Sequence, residues 1–162
     1  MSRPNSVLNV DVHEWRRGEY RLTTDPDAID LDVVVRFLAT DAHWASGRTT
    51  DDQRRANAAS TCCTLVHEPS GVQVGFARAI SDDLRFTWLM DVFVLPDHRG
   101  LGLGVWIVEC IVERFGHTTI GLATHDAHGV YAKHGFAPAD PQRWMHRPRN
   151  QPKRDWTEGR SR

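Results

Sequence analysis

Long apolar runs are absent. No stretch reaches the roughly 18 residues that a membrane span requires, and Met1-Ser2-Arg3-Pro4-Asn5 leads into no secretory apolar segment. The expectation is a cytoplasmic protein with no membrane partner. Cysteine is scarce and odd in number: Cys62 and Cys63 are adjacent, and Cys110 stands apart. That argues against a disulfide framework. There is no CxxC pair and no HExxH spacing, and the nine histidines are scattered, so no metal is expected. Charge of one sign is lacking too. The 20 Lys and Arg against 21 Asp and Glu leave a net charge of −1, which implies no nucleic-acid partner.

What is there is an ordinary globular composition, 40% hydrophobic and 25% charged over 162 residues, enough for one domain with a core of its own. The expected organisation is a single domain over residues 1–147, its first 17 residues a polar leader, followed by a flexible basic tail over 148–162. Residues 143–162 hold seven basic and two acidic side chains, which suits a solvated tail.

Within the domain, Tyr20-Arg21-Leu22-Thr23 reads as an edge strand. From Asp30, a good N-cap, the apolar residues Leu31, Val34, Val35 and Leu38 recur at helical spacing to about Thr40. Thr50-Asp51-Asp52-Gln53 has the form of a capping box opening a polar second helix. Residues 61–67 and 72–80, around the turn Glu68-Pro69-Ser70-Gly71, read as an antiparallel hairpin, and Phe86 to Leu95 as a third long strand. Leu103, Trp106, Ile107, Cys110 and Ile111 mark a buried helix to Phe115 with a wet edge at Glu109 and Glu113. Residues 119–124 read as a strand, 126–134 as a short helix closed by Gly135, and Trp144-Met145-His146 as a last strand. The fold class is α+β.

The strongest chemical signal is Arg99-Gly100-Leu101-Gly102-Leu103-Gly104, which joins a strand to the long helix. Alternating glycines let backbone approach a ligand closely, and the helix start aims unpaired amides and a positive dipole end at the same place. That suits a pyrophosphate. The spacing is GxGxG instead of the dinucleotide GxGxxG and follows an antiparallel hairpin, and no GxxxxGK(S/T) loop is present. Dinucleotide enzymes and nucleoside triphosphatases are therefore disfavoured.

This segment resembles the GNAT family of N-acetyltransferases, whose hallmark after a strand is Gln or Arg with glycine three and five residues on; here these are Arg99, Gly102 and Gly104. Val130-Tyr131-Ala132-Lys133-His134-Gly135-Phe136 is similar to a second family segment, so the resemblance covers at least Asp91 to Phe136 with the hairpin before it. It implies a mixed, mostly antiparallel sheet of six to seven strands flanked by about four helices. It also implies acetyl-CoA as co-substrate, its pyrophosphate on residues 99–104 and its pantetheine along the backbone of Phe93 and Val94, in a gap where the strand splays from its neighbour.

Tyr131 stands where many relatives have the tyrosine that protonates the departing thiolate, and Asp91 where many have an acidic residue that draws the amine's proton through water. Thr124 replaces a common asparagine seven residues before the tyrosine; its hydroxyl is expected to bond the co-substrate. His125, Asp126 and His128 follow it, which suggests a proton relay with His128 as a base. The acceptor is expected between the first two helices, at His43, Trp44, Arg48 and Asp91. Cys62, Cys63 and Cys110 fall on elements expected to be buried, which disfavours an acyl-cysteine route.

The function expected is transfer of an acetyl group to the primary amine of a small molecule by direct attack in a ternary complex, by a monomer or homodimer. A protein or peptide N-acetyltransferase and a non-catalytic coenzyme A sensor are the alternatives.

Overall fold

The structure is a computed structural model that describes residues 11–42 and 47–147. Among them run β1 (Glu14–Arg17), β2 (Tyr20–Thr23), α1 (Leu31–Thr40), α2 (Thr50–Ala58), β3 (Thr61–His67), β4 (Val72–Ser81), β5 (Phe86–Val94), α3 (Leu103–Phe115), β6 (Thr119–Gly121) and α4 (His128–Ala132). The strands form one sheet in the order β1-β2-β3-β4-β5-β6. Each neighbouring pair is antiparallel except β5 and β6, which run parallel. This is the α+β, mixed and mostly antiparallel architecture expected. No helix among the described residues is long and apolar enough to cross a membrane.

The helices start where side chains can satisfy their first amides. Asp30 accepts hydrogen bonds from the Asp32 and Val33 N–H groups and so caps α1. The capping box of α2 is made by Thr49 and Asp52, one residue earlier than the pattern at Thr50 suggests. Each face of the sheet carries its own core. On one, α3 lays Leu103, Trp106, Ile107, Cys110, Ile111 and Phe115 against Leu65, Ala77 and Leu89. On the other, α1 packs Val34, Phe37 and Leu38 against Cys62, Phe76 and Phe93, the Phe37 and Phe93 rings stacking with centroids 4.0 Å apart.

Three expectations need correction. Residues Glu14–Arg17, assigned to a polar leader, form the edge strand β1, so Tyr20–Thr23 is an inner strand; Trp15 Nε1 donates to Glu113 and Arg17 pairs with Glu109, which ties β1 across the wet edge of α3. The strand expected over 119–124 ends at Gly121. The last strand expected at Trp144–His146 is not formed. Asp140 accepts hydrogen bonds from the Gln142, Arg143 and Trp144 amides in a turn, and the Trp144 ring lies against Phe86 instead of joining the sheet. The tail over 148–162 lies outside the described residues.

Candidate active site

The site begins with a fault in β5. Phe76 pairs with Phe93 but Arg78 pairs with Met90, so β5 carries one extra residue, and Asp91 takes a left-handed φ of 54°. The bulge turns Met90 and Asp91 to the same side, where Arg78 Nη2 contacts Met90 Sδ and Arg78 Nε donates to Asp91 Oδ2 at 2.9 Å. Beyond it the alternation resumes in the opposite phase. Val92 and Val94 pack toward the α3 core while Phe93 packs toward α1.

The second feature is a gap. β6 pairs with β5 only from Phe86 to Trp88, which leaves the rest of that edge of β5 open. Leu95 N–H donates to Val74 of β4, so by strict alternation Phe93 turns its backbone inward to β4 while Val92 and Val94 turn theirs toward the gap. The Val94 carbonyl is taken by Arg99 Nε at 2.9 Å. Of the two residues expected to pair with pantetheine, Val94 thus faces the gap and Phe93 does not; Val92 faces it instead.

At the end of β5 the gap widens into a cleft of about 630 Å3 bounded by Val92, Val94, Arg99, Gly100, Gly102 and Gly104. Gly100 (φ 78°) and Gly102 (φ 73°) are both left-handed, and among the described residues no atom beyond the adjoining backbone lies within 4 Å of where a Cβ would stand at Gly100, Gly102 or Gly104. Gly102 precedes α3 without any side-chain cap. The amides of the first turn therefore face open space with no helical carbonyl to bond. A glycine-walled hollow lined by free amides and an arginine fits a pyrophosphate. Leu101, at the tip of the loop, is 60% exposed.

A family model for the acetyltransferase (GNAT) domain matches residues 59–138. An acetyltransferase of Gibberella zeae is 30% identical over 125 residues, 66% of this chain and 71% of that protein. A solved structure from Xanthomonas campestris pv. campestris, assigned to the same family, is 36% identical, with a TM-score of 0.75 over 82% of this chain and 95% of its own. This chain belongs to the GNAT family of acetyltransferases. An acetyltransferase of Clostridium acetobutylicum whose structure holds acetyl-CoA shares the GNAT fold at 17% identity, with a TM-score of 0.57 over 80% of this chain and 94% of its own.

In this GNAT enzyme the cleft does not end at the glycine loop. Val92, Asp126, Ala127 and Tyr131 border both it and a second cavity of about 400 Å3, which Arg48, Trp88, Met90, Asp91 and His125 help to line. Tyr131, on α4, is half-buried at that junction, its ring edge-on to Phe136. Burial, helped by the nearby Asp126 carboxylate, holds its phenol above the usual tyrosine pKa. His134 Nε2 donates to the Val105 carbonyl at 3.1 Å and fastens the end of α4 to the first turn of α3.

The other expected residues are placed unequally. Asp91 is 5% exposed, and its Oδ2 accepts from both Arg48 and Arg78, at 2.7 and 2.9 Å. Its carboxylate is committed to two guanidiniums. Arg48 also donates to the buried Gln53, which in turn donates to Asn57, so α2 enters the site through a polar network. Thr124 accepts from the Ala127 N–H and borders the second cavity, not the glycine-walled cleft. His128 lines a further cavity of about 560 Å3 beyond Tyr131, while His125 lines the one shared with Arg48. His43 and Trp44 lie outside the described residues. Val92 was not singled out from the sequence, and Asp126 was named there only as part of a proton relay with the flanking histidines. The spacing of the apolar residues Leu89, Val92 and Val94, three then two, is the one local sign of the bulge.

Proposed function

We propose that this enzyme transfers the acetyl group of acetyl-CoA to the primary amine of a small molecule, by direct attack while both are bound. The observation that carries the reading is the continuity of the two cavities through Val92, Asp126 and Tyr131. A donor held on the glycine loop and an acceptor beside Arg48 meet at one point, next to a neutral phenol.

The parts of the chain divide the work. The amides of the first turn of α3 hold the linked phosphates, with Arg99 alongside. The gap-facing edge of Val92 and Val94 offers N–H groups to the pantetheine and to the thioester oxygen as charge builds on it. The amine nitrogen bonds to the carbonyl carbon as the carbon–sulfur bond breaks; the nitrogen gives up a proton and the sulfur takes one from Tyr131.

The test is free-thiol release from acetyl-CoA with a panel of amines. Tyr131→Phe is expected to lower kcat by about 100-fold, within the usual range for a positioned acid, with the KM for acetyl-CoA kept. Undiminished turnover in that variant removes Tyr131 from the role. Binding of coenzyme A without turnover on any amine supports a sensor instead.

A further inference from the structure

The cavity of about 400 Å3 that meets the cleft at Tyr131 is lined by charges of both signs. Arg48 and Arg78 share the single carboxylate of Asp91, so among the described residues that cluster keeps one positive charge uncompensated. Arg78 is closed off, its side chain 6% exposed, but the Arg48 side chain is 26% exposed and borders the cavity. The negative charge is Asp126, exposed in the segment before α4, and it borders both this cavity and the cleft, whereas Arg48 borders this cavity and not the cleft. Trp88, Leu89 and Met90 give the same cavity an apolar lining. His125 is the other titratable side chain beside Asp126.

These positions select an orientation. An anionic group against Arg48 neutralises a half-buried guanidinium that Asp91 alone does not. A cationic group there meets two like charges. At the junction with the cleft, next to Tyr131, the acyl group has to be delivered, and there an ammonium finds Asp126. A neutral amine leaves Arg48 unmatched, and the chain of a bulky acceptor has only the apolar lining to occupy.

We propose that the acceptor is an amino carboxylic acid, its carboxylate on Arg48 and its amine held by Asp126 beside Tyr131. This rests on the acetyl-transfer reading above and names its substrate class. Asp126 draws the ammonium in, and the ammonium gives up one proton to water before it attacks. The freed amine forms the new nitrogen–carbon bond, the carbon–sulfur bond breaks, and the thiolate takes the Tyr131 proton, which solvent replaces.

The full chain is assayed with acetyl-CoA and leucine, methionine, phenylalanine or β-alanine, each beside its methyl ester, which keeps the amine and removes the negative charge. At least one free acid is expected to exceed its ester in kcat/KM by about 10- to 100-fold, the worth of a hydrogen bond to a charged group. Asp126→Asn, at an exposed position, is expected to raise the KM for that acid with the KM for acetyl-CoA unchanged. Arg48→Gln should erase the preference for acid over ester, and Arg48→Lys, which keeps the charge beside Asp91, should retain part of it; thermal unfolding of both variants separates this from loss of fold. Esters used as well as acids, or a preference that survives Arg48→Gln, overturn the proposal while acetyl transfer to amines stands. No turnover on acids, esters or any other amine, with acetyl-CoA still bound, overturns both.

Discussion

Asp91 sits in a backbone conformation that costs an L residue about 1–2 kcal/mol, and aspartate is among the few side chains that enter it at all. What offsets this is the pair of arginines on its carboxylate. Asp91→Asn keeps the tolerance for the turn but strands two guanidiniums, so we expect it to destabilise the fold by about 3–5 kcal/mol, read from urea unfolding. A simple loss of catalytic base would leave stability untouched. Thr64 makes the opposite case: its hydroxyl is buried without a partner among the described residues, so Thr64→Val should raise the unfolding temperature. The phenol of Tyr131, held above the usual tyrosine value by burial and by Asp126, stays neutral past pH 10. The stability linked to its neutral form is complete below the unfolded-state value near 10 and is lost as pH rises through the higher folded value. With Tyr20 as the one other tyrosine, phenolate absorbance can resolve it: Tyr131→Phe should remove a late-titrating band. The turns at Gly100 and Gly102 were legible because alternating glycines announce them locally, while Tyr131 was named through the family resemblance. Arg78 was not legible, and Asp126 was read only as a neighbour of two histidines, because what each meets is set by residues far away in the chain.

Helix α3 was legible to the residue, since a glycine loop opens it and an unbroken apolar period carries it to Phe115. α2 was placed one residue off at its cap because Thr49 and Thr50 are adjacent and both precede acidic residues. The strand ends were the least legible part. Gly121 closes β6 because the Trp88 ring packs where its Cβ would be, at 2.9 Å, and nothing local announces that contact. The junction of loop and helix gives a prediction that separates binding from folding. Gly102 is left-handed, so Gly102→Ala should lose about 1–2 kcal/mol of stability along with acetyl-CoA affinity. Gly104 lies inside α3 with open space where a Cβ would project. Gly104→Ala should therefore leave stability unchanged or raise it by up to about 1 kcal/mol, while the added methyl enters the phosphate hollow and raises the KM for acetyl-CoA. Normal affinity in a stable Gly104→Ala protein would sink the assignment of that hollow.

At the scale of the molecule, two cores meet through one sheet, and the three cysteines report on both. Cys63 and Cys110 belong to the core beneath α3, and Cys62 to the one beneath α1. Burial pushes each thiol up to about 12, with Arg78 pulling Cys62 only partly back. At pH 8 the thiolate fraction at such a value is roughly one in ten thousand, and the thiolate is the nucleophile. An acyl-cysteine step would need one of these sulfurs exposed and ionised, whereas all three are buried. Alkylation with iodoacetamide at pH 8 should accordingly be slow in the native state and accelerate with urea. Because β3 carries Cys62 into one core and Cys63 into the other, the two cores share a strand and should open together. All three thiols are then expected to label at one rate that follows global unfolding. Faster labelling of Cys62 alone would mean that the α1 layer opens by itself, and with it the wall of the site that Arg48 and Gln53 build.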